Sequence, residues 1–180
     1  SYAGTDVFTG GDTLAVKVVA YDQSVWDVTS YRSFVPGGST NRIERQGLEI
    51  EASYALDSGW YADVAANFST GDATLENGTV QDWRLNPQDD IRLTVGRKFG
   101  EELDISWELV AARRYDRGGA NVAGYGVNNL RVTYAPQSGV LQGAEIRFSV
   151  ENIFDKAYQP RLATQNATGR NVKLSLAKTF

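Results

Sequence analysis

Cysteine and histidine are both absent from this 180-residue chain. Without cysteine there is no disulfide framework and no thiol chemistry. Without histidine, triads that use an imidazole base are excluded, and so is the commonest side-chain ligand for metals. Proline is scarce, at 4 residues. No run approaches the roughly 18 apolar residues that a transmembrane helix needs. A basic excess is missing too: 18 Lys and Arg stand against 22 Asp and Glu, a net charge of −4, which argues against a nucleic-acid-binding face. No export leader is visible, because residues 1–11 are polar and glycine-rich.

What is present is glycine, 18 residues of it, and aromatic residues at 11%. Together with low proline they suit strands punctuated by turns. Apolar residues recur with period 2 rather than 3.6. Leu48, Ile50, Ala52 and Tyr54 alternate with Glu49, Glu51 and Ser53. Ile91, Leu93, Val95 and Phe99 alternate with Arg92, Thr94 and Lys98. The same pattern carries Leu103, Ile105, Trp107 and Leu109 against Asp104, Ser106 and Glu108, and Ile146, Phe148 and Val150 against Glu145, Arg147, Ser149 and Glu151. At the end, Val172, Leu174, Leu176 and Phe180 alternate with Asn171, Lys173 and Ser175. Residues 13–31, 60–70 and 126–134 read as three further strands with weaker alternation. The expectation is about eight strands, each near the roughly 9–11 residues that a tilted membrane-crossing strand needs.

The connections alternate in length. Those at 57–59, 100–101 and 136–143 are short; those at 33–41, 71–89, 116–124 and 155–169 are longer and polar. Outer-membrane barrels sort their loops in this way, with tight turns on the periplasmic side and long loops outside. A soluble sandwich has no reason to do so. Aromatics follow the same division: Tyr54, Trp60, Phe99, Tyr134 and Phe180 near the short turns, Tyr31, Phe34, Tyr115 and Tyr125 near the long loops. Such residues suit the two membrane interfaces. Charged residues on the alternate face, among them Lys17, Glu51, Asp63, Arg92, Glu108, Arg131, Glu151 and Lys173, would line a wet lumen in mixed signs that can pair across strands. The fold class predicted is all-β: an antiparallel, up-and-down transmembrane β-barrel, with residues 1–180 forming one segment of it.

The last third carries a motif. Asn152-Ile153-Phe154-Asp155-Lys156-Ala157-Tyr158 is followed by Gly169-Arg170 and by a final amphipathic stretch from Val172 to Phe180. Upstream lie Gly47-Leu48-Glu49, Gly59-Trp60-Tyr61 and Asn86-Pro87. In these features the chain resembles the C-terminal end of TonB-dependent outer-membrane receptors, over roughly residues 41–180. Ile153 stands where that family usually has Leu, and Lys178 shares a face with Leu176 and Phe180. The segment Tyr158-Gln159-Pro160-Arg161-Leu162-Ala163, with Gly169-Arg170-Asn171, is faintly similar to haem or haemoglobin receptors.

The resemblance implies that the chain is the C-terminal part of a barrel of about 22 strands. It also implies an N-terminal plug domain inside that barrel, contact with TonB through an N-terminal region outside this chain, and lipid of the bacterial cell outer membrane around it. The implied activity is uptake of an iron-containing nutrient, haem or a ferric siderophore. Candidate ligand contacts are Arg113, Arg114, Tyr115 and Arg117, clustered after one strand, with Arg161 and Gln165 in the last long loop. Cationic and aromatic groups suit anionic chelates or haem propionates. No cofactor or resident metal is expected, and no catalysis. Three other readings stay open: a complete small eight-stranded barrel with a structural or adhesive role, an enzyme barrel using paired carboxylates such as Glu49 and Glu51, and a soluble carbohydrate-binding sandwich.

Overall fold

The computed structural model describes residues 1–28 and 40–178. Tyr31, Phe34 and Phe180 lie outside the described residues. In chain order the strands are β1 (Tyr2–Thr5), β2 (Thr13–Trp26), β3 (Thr40–Ala55), β4 (Trp60–Leu75), β5 (Val80–Asp82), β6 (Asp90–Phe99), β7 (Leu103–Ala112), β8 (Tyr115–Arg117), β9 (Ala120–Val122), β10 (Tyr125–Tyr134), β11 (Ala144–Glu151) and β12 (Asn171–Lys178). One antiparallel sheet runs β1-β2-β3-β4-β6-β7-β10-β11-β12, with β5 paired to β4 beyond the main path. Eight of its strands have eight residues or more and follow each other up and down, as the alternation predicts. Among the described residues no ladder joins β12 to β1 or β2, so both edges of the sheet are open.

Register turns the sequence pattern into one continuous apolar face. Val16 lies opposite Ala52, Ala52 opposite Val64, Val64 opposite Leu93, and Leu93 opposite Leu109. Farther along, Val95, Trp107, Leu130, Val150 and Val172 form a second row. These side chains do not make a core. Val18, Ile91, Ile105, Phe148, Val172, Leu174 and Leu176 are all exposed, Leu174 at 73%. In water that exposure would be unfavourable, at about 25 cal/mol for each Å² of apolar surface; in lipid it carries no such penalty. The arrangement inverts a soluble sandwich, whose alternate apolar residues pack inward. Among the described residues two ions break the apolar parity of this band: Arg97, opposite Trp60 and Ile105, and Lys178 at the rim, opposite Ala144.

The opposite face carries paired charge. Lys17 meets Glu51 at 3.4 Å and Lys173 meets Glu151 at 2.7 Å. The Ser53 hydroxyl donates to Asp63 at 2.6 Å and the Tyr61 hydroxyl to Asp104 at 2.9 Å. Glu108, only 3% exposed, accepts both ends of the Arg131 guanidinium at 2.9 and 3.1 Å and the Asn129 amide at 2.7 Å. A buried carboxylate held by a forked Arg and an amide has its lone pairs satisfied.

Loops sort by side as expected. At the short-turn end, Gly59 has φ +86° and a Cβ there would run into the Lys98 carbonyl oxygen, so the β3–β4 turn requires glycine. The β1–β2 turn, which the alternation does not foreshadow, is built around Asp12. This fully buried carboxylate accepts the backbone N–H groups of Val7, Phe8 and Thr9 and the Tyr54 hydroxyl, at 2.6 to 2.9 Å. Burial pushes the Asp12 pKa up, but the hydrogen bonds from Thr9, Tyr54, Phe8 and Val7 outweigh it and hold it down at about 2.

At the other end the strands outrun the predicted boundaries. β3 and β4 have 16 residues each, against the roughly 9–11 that crossing requires. Their outward positions turn polar at Gln46 and Thr70, which face each other, and stay so at Glu44 and Asp72. The region predicted as loop from residue 71 therefore begins as strand, and the loop at 116–124 contains the small hairpin β8–β9. A buried cluster of Val28, Ile43, Ala73 and Trp83 stabilises this projecting part.

Candidate functional site

Three long loops meet at this projecting end, and backbone carbonyls and amide side chains fasten them together. Asn86 is buried and donates to the Ser69 carbonyl at 2.9 Å, tying the segment before β6 to β4. Gln88 donates to the carbonyls of Arg113 and Ala123 at 2.8 and 3.2 Å, which ties the same segment to both ends of the β8–β9 loop. Its side-chain oxygen accepts the Arg161 backbone N–H at 3.1 Å, bringing in the last long loop.

Arg161 completes the joint. Its guanidinium lies 3.7 Å from the centre of the Tyr115 ring and donates to the carbonyls of Asn86 and Arg84, at 2.9 and 2.8 Å. Tyr115 is buried beneath it, so it does not belong to an aromatic belt facing lipid. Tyr125 likewise shares parity with Asn129 and Arg131, not with the apolar face, and its ring stacks at 4.4 Å on Tyr158. Trp60, Phe99 and Tyr134 do stand exposed at the short-turn ends of their strands.

Of the six predicted ligand contacts, Tyr115 and Arg161 are brought together. The others point elsewhere. Arg113 is 80% exposed and stands 4.0 Å from Asp89, Arg114 pairs with Asp116 at 3.6 Å, and Arg117 donates to the Thr70 hydroxyl at 2.7 Å. Gln165 is exposed in the last loop. A hollow of about 460 Å³ is lined by Gln81, Asp82, Arg84, Tyr115, Gly118 and Arg161. A second, of about 830 Å³, opens on the polar face at the short-turn end, beside Ser53, Tyr61, Asp63, Lys98 and Asp104.

The motif after β11 is a structural joint. Asn152 adopts φ +51° and is buried; its side-chain oxygen accepts the Lys156 N–H, and its amide donates to the Lys156 carbonyl, each at 2.9 Å. Its own backbone N–H reaches the Asn129 side chain at 2.9 Å. Asp155, at φ +53°, accepts the Arg170 N–H at 2.8 Å, and a Cβ on Gly169 would come within 2.6 Å of that carboxylate. Asn and Asp tolerate this left-handed backbone better than other side-chain-bearing residues. Phe154 faces outward, 73% exposed. Asn152, Asp155, Tyr158, Gly169 and Arg170 thus set the course of the last loop. Among the described residues no group of His, Cys, Asp and Glu could hold a metal ion.

Similarity to known proteins agrees with this geometry. The chain is 41% identical over 56 residues to the haem/hemopexin utilization protein C of Haemophilus influenzae, a match covering 31% of this chain and 8% of that protein. It is 26% identical over 155 residues to the TonB-dependent haem receptor A of Haemophilus ducreyi, covering 75% of this chain and 20% of that protein. This chain is related to the TonB-dependent receptors. Among solved structures, the copper transporter OprC superposes with a TM-score of 0.77 at 21% identity, over 94% of this chain and 30% of its own. The FrpB iron transporter of Neisseria meningitidis superposes with a TM-score of 0.70 at 19% identity, over 92% and 30%. The fold is that of a stretch of TonB-dependent outer-membrane barrel. No protein-family model matches the chain. The matched stretches span between 8% and 20% of the length of these relatives.

Proposed function

We propose that this chain is part of the barrel wall of a bacterial outer-membrane receptor that imports an iron-containing nutrient, with haem favoured over a ferric siderophore. The observation that carries the reading is the continuous outward apolar face across eight strands, with turns sorted by length to its two ends. The open edges of the sheet support a larger barrel, since unpaired backbone groups are not tolerated in hydrocarbon. The preference for haem rests on relatives named for haem and hemopexin.

In this reading the long loops face outside the cell and the polar face lines the lumen. The hollow beside Asp63, Lys98 and Asp104 receives part of an N-terminal plug, and energy for import comes through TonB. Arg113, Arg114 and Arg117 supply positive charge at the outer mouth for an anionic chelate or haem propionates, and Gln165 stands exposed in the last long loop. Tyr115 and Arg161 hold the loops that present these groups. This chain has no histidine, so an imidazole ligand to haem iron would come from another part of the polypeptide. The role is transport, without a bond made or broken in the cargo.

The test is growth of a strain deleted for the gene, under iron limitation, on haem or on a ferric siderophore as iron source. Loss of growth on haem alone, restored by the full-length gene, is expected. Loss on the siderophore alone would reassign the cargo; unchanged growth on both would overturn import of iron.

A further inference from the structure

Arg97 is the one charged side chain among the described residues that lies inside the outward apolar band rather than at its rim. Its partners in register are Trp60 on one side and Ile105 on the other, both exposed and apolar. Its guanidinium carbon stands 5.4 Å from the centre of the Trp60 ring and 4.8 Å from that of Phe99. Among the described residues no carboxylate pairs with it, and its Nε has no hydrogen-bond partner. The charges of the opposite face behave otherwise: Lys17, Arg131 and Lys173 each have a carboxylate within 3.4 Å.

Aromatic faces attract a cation but do not accept its in-plane N–H donors. An unpaired guanidinium against hydrocarbon is costly, and so is leaving its donors unmet. Phe99 ends β6 at the Gly100 turn, so Arg97 stands one outward position above the rim of the band, where lipid headgroups begin. Guanidinium and phosphodiester match in charge and in forked geometry. The two rings fix the orientation of the fork before any ligand arrives.

We infer that Arg97, held between Trp60 and Phe99, is a binding site for the phosphodiester of a lipid headgroup in the leaflet at the short-turn side. This rests on the membrane-spanning reading of the apolar face. It adds a specific lipid contact to the barrel wall, distinct from any cargo site at the long-loop end. Lys178 is on the same face but donates to the Val140 carbonyl at 3.3 Å, farther along the sheet.

The test uses the full-length receptor in dodecyl maltoside, which contains no phosphate, as wild type, Arg97→Gln and Arg97→Lys. Native mass spectrometry follows binding of dilauroyl phosphatidylglycerol and of dilauroylglycerol, which has the same tails and no phosphate, with inorganic phosphate as competitor. Wild type is expected to bind the phospholipid and not the diacylglycerol, and to resist displacement by phosphate. Arg97→Gln should bind the phospholipid about tenfold more weakly, the loss of a charged hydrogen-bonding partner, with Arg97→Lys in between. Equal phospholipid binding by wild type and Arg97→Gln overturns the inference, as does equal binding of the diacylglycerol; displacement by inorganic phosphate overturns the lipid assignment. Should Arg97→Gln fail to fold, the wild-type contrast between the two lipids and the Lys variant still decide. A barrel is recognised separately by heat-modifiable migration in gels: a heat-modifiable protein that ignores the phospholipid sinks only the Arg97 site, whereas a protein folded in plain buffer sinks the membrane reading itself.

Discussion

Val64, Leu93 and Leu109 sit side by side on three strands, and each is where it is because of its parity along its own strand. Arg161 is where it is because of partners as far as 77 residues away: the Arg84 carbonyl, the Asn86 carbonyl and the Tyr115 ring. The wall of the sheet and its long-loop end are therefore specified in different ways. In the wall, any apolar residue of the right parity serves, and the medium outside provides the driving force. At the loop end, single hydrogen bonds and one stacked cation do the holding, and substitutes for them are few.

The sharpest way to break this contrast is to place a charge on the wrong face. Leu130→Arg, near the middle of the apolar face, should lower barrel stability by about 3 kcal/mol. Thr133→Arg, on the polar face of the same strand, should leave it nearly unchanged. Urea unfolding of the full-length protein in bilayers, read by tryptophan fluorescence, separates the two. Equal effects would mean that the faces are not divided between lipid and water.

Next in size is the joint after β11. Asn152→Ala removes a buried amide that holds Lys156 through two hydrogen bonds and places alanine at φ +51°. A loss of about 2 kcal/mol is expected. Proteolysis should then cut within residues 155–169 well before the wall unfolds. A smaller effect, about 1 to 2 kcal/mol and confined to the loops, is expected for Arg161→Ala, from loss of its stacking and two carbonyl bonds. Hydrogen exchange should quicken around Asn86, Gln88 and Tyr115 while β6 and β7 stay protected. Arg113→Ala, on an 80% exposed side chain, should leave exchange unchanged and weaken only cargo binding.

The same contrast explains what could be read from the sequence and what could not. Alternation of Leu48 to Tyr54, Ile91 to Val95 and Leu103 to Leu109 reports burial in lipid at every second residue, so the eight main strands and the division of loops were legible. Arg42, Glu44, Asp72 and Thr74 lie beyond the apolar band, where the outward face is polar and Ile43 and Ala73 on the other face pack into a local cluster; the apolar parity of the band does not continue there, so β3 begins earlier and β4 ends later than the alternation predicts. β1 and the hairpin β8–β9 are 3 or 4 residues long, too short for any period. The resemblance singled out Asn152, Asp155 and Gly169, yet only geometry gives the reason: two left-handed residues and a glycine that leaves room for a carboxylate. Tyr115 looked like a belt residue because a single aromatic carries no sign of which side it faces. Arg161 was singled out for its charge, and nothing local indicates that this charge is spent on Tyr115.

The smallest effect is expected at the opposite end. Asp12 has its pKa lowered from 3.8 to about 2, so its anion is favoured by the folded turn. The stability this contributes is complete above pH 3.8 and declines as pH falls toward 2. Hydrogen exchange of the Val7, Phe8 and Thr9 amides should be slow at pH 5 and relatively enhanced near pH 2, after correction for intrinsic rates. Asp12→Asn should abolish that pH dependence and leave β6 to β12 untouched.

Glu108 lies on the polar face of β7 and grips the Asn129 amide; the oxygen of the same Asn129 side chain receives the backbone N–H of Asn152, where the last long loop departs. A carboxylate on the polar face is thereby two hydrogen bonds from the residue at which that loop leaves the sheet. Loss of that carboxylate would leave the buried Asn129 amide without its acceptor and loosen the seat of the Asn152 N–H, so a change on the polar face of β7 reaches the start of the last loop through one side chain.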